Sequence, residues 1–169
     1  KPQGIPFLME CLKSQSNNCD AYFLVVGAGT EAVKLKNFIN DNDLINIRVM
    51  DRLPKEDYEK MVAACDVGMI FLDHRFTIPN FPSRLLSYMQ AKLPVLCCTD
   101  PNTDVGQVCV DGGFGWWCES NDTAAFDNCV EQALHSDLTQ MGERSFAYLN
   151  NNYNVQSSCD IIVKGLGVK

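Results

Sequence analysis

Apolar positions along this chain recur with two different periods. Ile5, Leu8, Cys11 and Leu12 fall at helical spacing behind a short polar lead, so a helix opens the chain. Ala21 to Val26 is a continuous apolar run ending at Gly27, the pattern of a strand buried on both faces. Val33, Leu35, Phe38 and Ile39 then stripe a second helix, with Lys34, Lys36 and Asn37 outward. Ile45 to Met50 predicts a short strand. Tyr58, Met61, Val62 and Cys65 stripe a helix opened by Pro54, and Val67 to Leu72 predicts another strand. A helix from about Ser83 to Ala91, a strand from Leu93 to Cys98, a short helix near Val105 to Val110 and a strand from Phe114 to Cys118 continue the alternation. Phe126, Cys129, Val130 and Ala133 stripe a helix beginning near Asp122, and helical segments at about 137–149 and 155–165 finish the chain.

Strands that alternate with helices, and that are continuously apolar, call for a parallel sheet covered on both faces. The expected fold is α/β: a doubly wound, Rossmann-like parallel sheet. No internal repeat, low-complexity tract or linker divides the chain. In such sheets ligands bind beyond the carboxyl ends of the strands, which directs attention to the loops after residues 26, 50, 72, 98 and 118.

Composition narrows the partners. With 169 residues, 46% of them hydrophobic and 21% charged, the chain fits one domain with a substantial core. The net charge of −7 is spread over interleaved acids and bases, and no Lys/Arg stripe could neutralise a run of phosphates, so nucleic acid is excluded as a partner. No apolar run approaches the roughly 18 to 20 residues of a membrane helix, and no signal peptide opens the sequence. Nine cysteines lie scattered among apolar neighbours without a CxxC pair, which points to reduced, core-filling thiols in a cytoplasmic protein.

Two stretches carry chemistry. In VVGAGTEA, Gly27, Gly29 and Ala32 satisfy G-x-G-x-x-A after a strand, and Asp51 ends the next strand where a ribose-binding carboxylate would sit. That is an NAD reading; the alternative is a tight strand-to-helix turn that recruits glycine for its backbone freedom. A dinucleotide fingerprint normally follows the first strand of its sheet. Here a helix precedes it, so the expectation is that a strand lies upstream of Lys1.

The second stretch is IPNFPSRLLSYMQAKLPVL, Ile78 to Leu96. Its form, P-S-[KR]-L-x-x-Y-M-x-x-x-x-P-V-L across a helix, turn and strand, resembles the donor-site signature of the family 4 (group 1) retaining glycosyltransferases of GT-B fold, which build lipopolysaccharide and capsular polysaccharide. The lead KPQG, the turn VVGAG, the stretch INIRVMDRLP with KEDYEKMVAACDVGMIFL, and DGGFGWW fall in the order that the family's C-terminal domain shows. The resemblance implies that residues 1–169 are the nucleotide-sugar-binding C-terminal domain, with the N-terminal acceptor domain absent from this chain. It also implies a site of Gly27, Gly29, Asp51, Arg52, Leu53, His74, Phe81, Pro82, Ser83, Arg84, Leu85 and Ser87, with no metal and no cofactor beyond the sugar nucleotide. The full-length enzyme would sit in the cytoplasm, at the inner face of the membrane.

Physical reading runs the same way. A helix starting at Phe81-Pro82-Ser83 offers backbone N–H groups and a positive dipole end to a diphosphate, and Arg84 adds a cation with several donors. The competing roles are an ordinary N-cap for Ser83 and a solvated charge for Arg84. The sequence also departs from the family. Many members carry two glutamates eight positions apart, near the donor sugar and on the ribose; Pro79 and Ser87 occupy those places here. Gln3 stands where a lysine commonly precedes the glycine of the opening loop, and Lys1 is its possible substitute.

Other constellations carry less. Asp100, Asn102 and Asp104 have calcium-loop spacing, but Gly106 is one place late and Asp111 stands where a glutamate is needed. Trp116 and Trp117 read as strand packing, His135 as a surface residue, and Asn121-Asp122-Thr123 as a sequon in letters only. The function expected is donor binding in sugar transfer by a retaining glycosyltransferase. Its competitors are an NAD-dependent oxidoreductase, a GT-B epimerase acting on UDP-sugars, and a non-catalytic binding descendant.

Overall fold

The computed structural model describes residues 3–75, 81–153 and Gly165. Pro79, Lys1 and, apart from Gly165, the helical segment expected at 155–165 lie outside the described residues. Within them the order is α1 (Ile5–Ser14), β1 (Phe23–Val26), α2 (Thr30–Asp41), β2 (Ile47–Met50), α3 (Lys55–Ala63), β3 (Gly68–Phe71), α4 (Arg84–Gln90), β4 (Val95–Thr99), α5 (Val105–Asp111), β5 (Gly115–Glu119), α6 (Thr123–Leu134) and α7 (Leu138–Asn152). The strand and helix alternation read from the sequence is the observed one. Asp122 and Asp137 start α6 and α7 as side-chain caps, accepting from the backbone N–H groups of Ala125 and Gln140 at 2.8 and 2.9 Å.

Every strand pairing is parallel. β1 pairs with β2 from Phe23↔Ile47 to Val26↔Met50, and β4 lies between β3 and β5. The strands form a two-stranded and a three-stranded sheet, where the sequence predicted one. Packing joins them instead of a ladder: Phe23 and Ile47 share one apolar cluster with Leu96, Cys98 and Trp116.

β4 is the centre of the molecule, with all five residues buried. Leu96 and Cys98 point into the cluster formed with α1, α2 and α6; Val95 and Cys97 point into a second cluster with α4, α5 and Tyr148 and Leu149 of α7. This is the doubly wound arrangement, helices on both faces of a parallel sheet. β1 departs from its expected double burial. Phe23 is buried while Leu24 is 39% exposed, because α1 and α2 cover only one face of the β1–β2 pair and α3 contributes a single buried residue, Val62.

The described cysteines are all free thiols, and Cys11, Cys97, Cys98, Cys109, Cys118 and Cys129 are buried. Burial pushes the Cys11 and Cys98 thiols above their ordinary range, so they behave as apolar filling and not as nucleophiles. The indole ring of Trp117 lies on Gly106 of α5, and its N–H donates to Thr99 Oγ1 at 2.9 Å. Trp116 is buried on the opposite face. Both tryptophans therefore pack, as their sequence context implied.

α7 packs at Gly142 on the turn that follows α4, where a Cβ would run into the carbonyl oxygen of Lys92. Gly142→Ala raises helix propensity, yet the contact is with backbone and forces the helices apart. The net expected effect is a loss of about 2 kcal/mol, seen as a melting temperature lower by roughly 4–8 °C.

Candidate functional site

The carboxyl end of β3 opens into a cavity of about 450 Å³. Ile70, Phe71 and Leu72 line its strand side, Gln3 stands at one flank, and Phe81, Pro82, Ser83, Arg84 and Ser87 form the other; Tyr58 of α3 completes the wall. Gln3 is placed by Gly4, the residue that begins α1. Gly4 has φ +53°, and a Cβ there would lie 3.3 Å from the carbonyl carbon and oxygen of Leu72. The opening turn therefore rests directly on the end of β3.

Helix α4 is oriented by its apolar side. Leu85 and Met89, four residues apart, have 0% exposure and pack into the second cluster. Arg84 and Ser87 are left on the side that lines the cavity. Leu85 is thus corrected: it belongs to the core, and its N–H donates to the Pro82 carbonyl at 2.9 Å. Leu86 N–H similarly donates to Ser83 at 3.1 Å. Ser83 has helical dihedrals, φ −55° and ψ −21°, and no side chain caps this end, so Ser83 is not an ordinary N-cap.

Tyr88 fixes α4 to β3. A Cβ on Gly68 would meet its ring at 2.5 Å, and its O–H donates to the Met69 carbonyl at 3.2 Å. Burial above all, with a contribution from the nearby Tyr58, pushes the Tyr88 phenol far above its ordinary ionisation range. Phe81, at the cavity mouth, packs on Tyr153 with ring centroids 5.4 Å apart. Tyr153 lies 6.1 Å from Tyr148, which lies 5.2 Å from the buried Phe114.

The remaining sequence candidates stand outside this cavity lining. Gly27 and Gly29 form the turn after β1, and a methyl group on either would meet no atom within 4 Å. Gly29 alone needs to be glycine for its backbone, with φ +112°. Asp51 is 81% exposed and pairs with Lys36 at 2.7 Å; Arg52 is exposed and Leu53 half-buried. His74, 41% exposed, lies 3.8 Å from Asp73 in the loop after β3. Arg75 holds both oxygens of Asp73, at 2.8 and 2.7 Å, and these bonds keep the Asp73 carboxyl well below the usual range. Asp100 is buried and spends its carboxylate on the Asn102 and Thr103 N–H groups and the Thr103 hydroxyl. Among the described residues no group of three or more His, Cys, Asp or Glu is arranged for a metal ion, and no helix is long and apolar enough to cross a membrane. Tyr58 was read only as part of a helix stripe. The sparse apolar content of α3 was the signal that its inward positions do something other than fill a core.

Residues 2–148 match the family model of the group 1 glycosyl transferases. The chain belongs to that family. Over 152 residues it is 25% identical to WbjE of Pseudomonas aeruginosa, described as a probable glycosyltransferase, covering 90% of this chain and 38% of that one. This chain therefore spans well under half of that relative's length. Its fold is shared with WaaG, a glycosyltransferase involved in lipopolysaccharide biosynthesis (TM-score 0.71, 17% identity, 90% of this chain and 40% of that one). It is shared too with TarM of S. aureus, whose structure contains UDP (0.77, 16%, 97% and 33%), and with Anabaena HepE in complex with UDP (0.72, 17%, 99% and 46%). The α/β architecture with parallel sheets matches the Rossmann-like domains of GT-B glycosyltransferases.

Replacing Arg75 with Ala removes the donors that favour ionised Asp73. The Asp73 pKa is expected to rise toward about 3.9, as followed by carboxyl NMR titration. Because the folded value lies below the unfolded one, the wild-type pair contributes stability above about pH 4 that is lost as pH falls through the folded pKa. The variant keeps only the part held by the backbone N–H of residue 75 and by His74, so its dependence is weaker.

Proposed function

We propose that this glycosyltransferase chain is a donor-binding domain. It would hold a nucleotide-diphosphate sugar while the sugar passes, with retention at the anomeric carbon, to a polysaccharide or lipid-linked acceptor. The observation that carries the reading is the meeting of Ser83, Arg84 and the carboxyl end of β3 in the lining of one cavity. Departure of a diphosphate develops negative charge, and preorganised N–H donors with a cation stabilise it without metal. The UDP in the TarM and HepE structures supports a nucleotide-sugar donor. The fold shared with WaaG, a glycosyltransferase involved in lipopolysaccharide biosynthesis, supports a polysaccharide-building role, for which a capsular polymer is a second candidate product.

On this reading the open space beside Gly27 and Gly29 admits close approach of the donor. Asp51, Arg52 and Leu53 flank the base, His74 stands near the sugar, and Ser87 faces the ribose. The acceptor is held by a second, N-terminal domain, in keeping with the 38% coverage of WbjE. The free thiols suit the reducing cytoplasm, where the full-length enzyme would work at the membrane surface. The NAD alternative is disfavoured: Asp51 is exposed and paired with Lys36, and the glycine turn lies apart from the cavity lining.

Thermal melting tests the reading. At a hundredfold excess over Kd, the preferred diphosphate among UDP, GDP and ADP stabilises the chain by about 2.7 kcal/mol, a rise of several degrees, while NAD has no effect. Arg84→Ala weakens that diphosphate at least about tenfold. The chain alone is expected to turn over no sugar donor; measurable transfer by it would refute the division of labour between two domains.

A further inference from the structure

Tyr58 is the one cavity-lining side chain supplied by α3. Val62, four residues later, is the only buried residue of that helix, so the same helical face that anchors α3 carries the phenol inward. Across the cavity, Ser87 follows Arg84 by one turn on the lining side of α4, about 4.5 Å along the axis. Tyr58 also lies near enough to Tyr88, the next residue of α4, to disfavour its ionisation. The cavity therefore brings one cation, Arg84, together with the hydroxyls of Tyr58 and Ser87. No carboxylate is among its described lining residues.

A cation and amides suit phosphates; neutral hydroxyls, which donate and accept, suit a polyol. We infer that the Tyr58 hydroxyl hydrogen-bonds the ribose of the bound nucleotide, sharing with Ser87 a task that this cavity assigns to no acid. The inference rests on the donor-binding reading above and extends it to the nucleoside. A tyrosine suits the role because its ring is held by only two torsions, so little freedom is lost when the hydroxyl engages.

The test is a cycle on the intact chain, with calorimetric titration of wild type and Tyr58→Phe. The ligands are the preferred diphosphate among UDP, GDP and ADP, its 2′,3′-dideoxy analogue, and inorganic pyrophosphate. Each discrimination ratio is taken within one protein, so it does not depend on equal stability of the variants. Tyr58→Phe is expected to weaken the parent diphosphate by roughly threefold to tenfold, to leave pyrophosphate within about twofold, and to shrink the preference for the ribose form over the dideoxy form. Ser87→Ala should shrink the same preference. If Tyr58→Phe keeps the full wild-type preference while Arg84→Ala still loses diphosphate binding, the Tyr58 assignment is wrong and the donor reading stands. If wild type binds none of the nucleoside diphosphates, both fall together.

Discussion

The side chains of β4 point alternately into two apolar clusters, and the rest of the molecule is arranged around that alternation. Val95 and Cys97 on one side, Leu96 and Cys98 on the other, leave the strand no face for water. A strand enclosed in this way must complete its hydrogen bonds with neighbours in the sheet, which β3 and β5 supply in parallel register. The carboxyl end of β3 then emerges at the rim, beside the place where α4 begins. Burial of Leu85 and Met89 turns that helix so that Arg84 and Ser87 reach the opening. The cavity is a product of how the core closes.

Electrostatics at the rim follow from the same geometry. Asp73 pairs with Arg75, Asp100 is bound within its own turn, and neither carboxylate is among the described residues that line the cavity. Arg84 is the cation that lines it among the described residues, and Gln3 stands neutral where the family commonly has a lysine. The described lining therefore carries one cation, Arg84, and the hydroxyls of Tyr58, Ser83 and Ser87.

Much of this was legible in the sequence, for reasons that can be located. Periodicity identified the helices because Cys11 and Leu12, or Phe126 and Val130, are spaced as one buried stripe. The block around Phe81 to Ser87 pointed to residues that line the cavity because turn, helix start and cation are adjacent in the chain. Leu85 was misplaced by that adjacency, although its four-residue spacing to Met89 already marked it as core. The division into two sheets was not readable, since local pattern reports which face a residue takes and not which strands share hydrogen bonds. Tyr58 escaped for a related reason: its position in the cavity depends on a contact between elements remote in sequence.

The line of rings from Phe114 through Tyr148 and Tyr153 to Phe81 joins the immobile interior to the mouth of the opening. Mechanically it is a strut, and its two middle members, Tyr148 of α7 and Tyr153 just past its end, contribute nothing to the described lining. The rigidity of the lip is therefore decided at a distance. Sequence drift in α7 can retune how firmly a guest is enclosed without altering a single group that touches it.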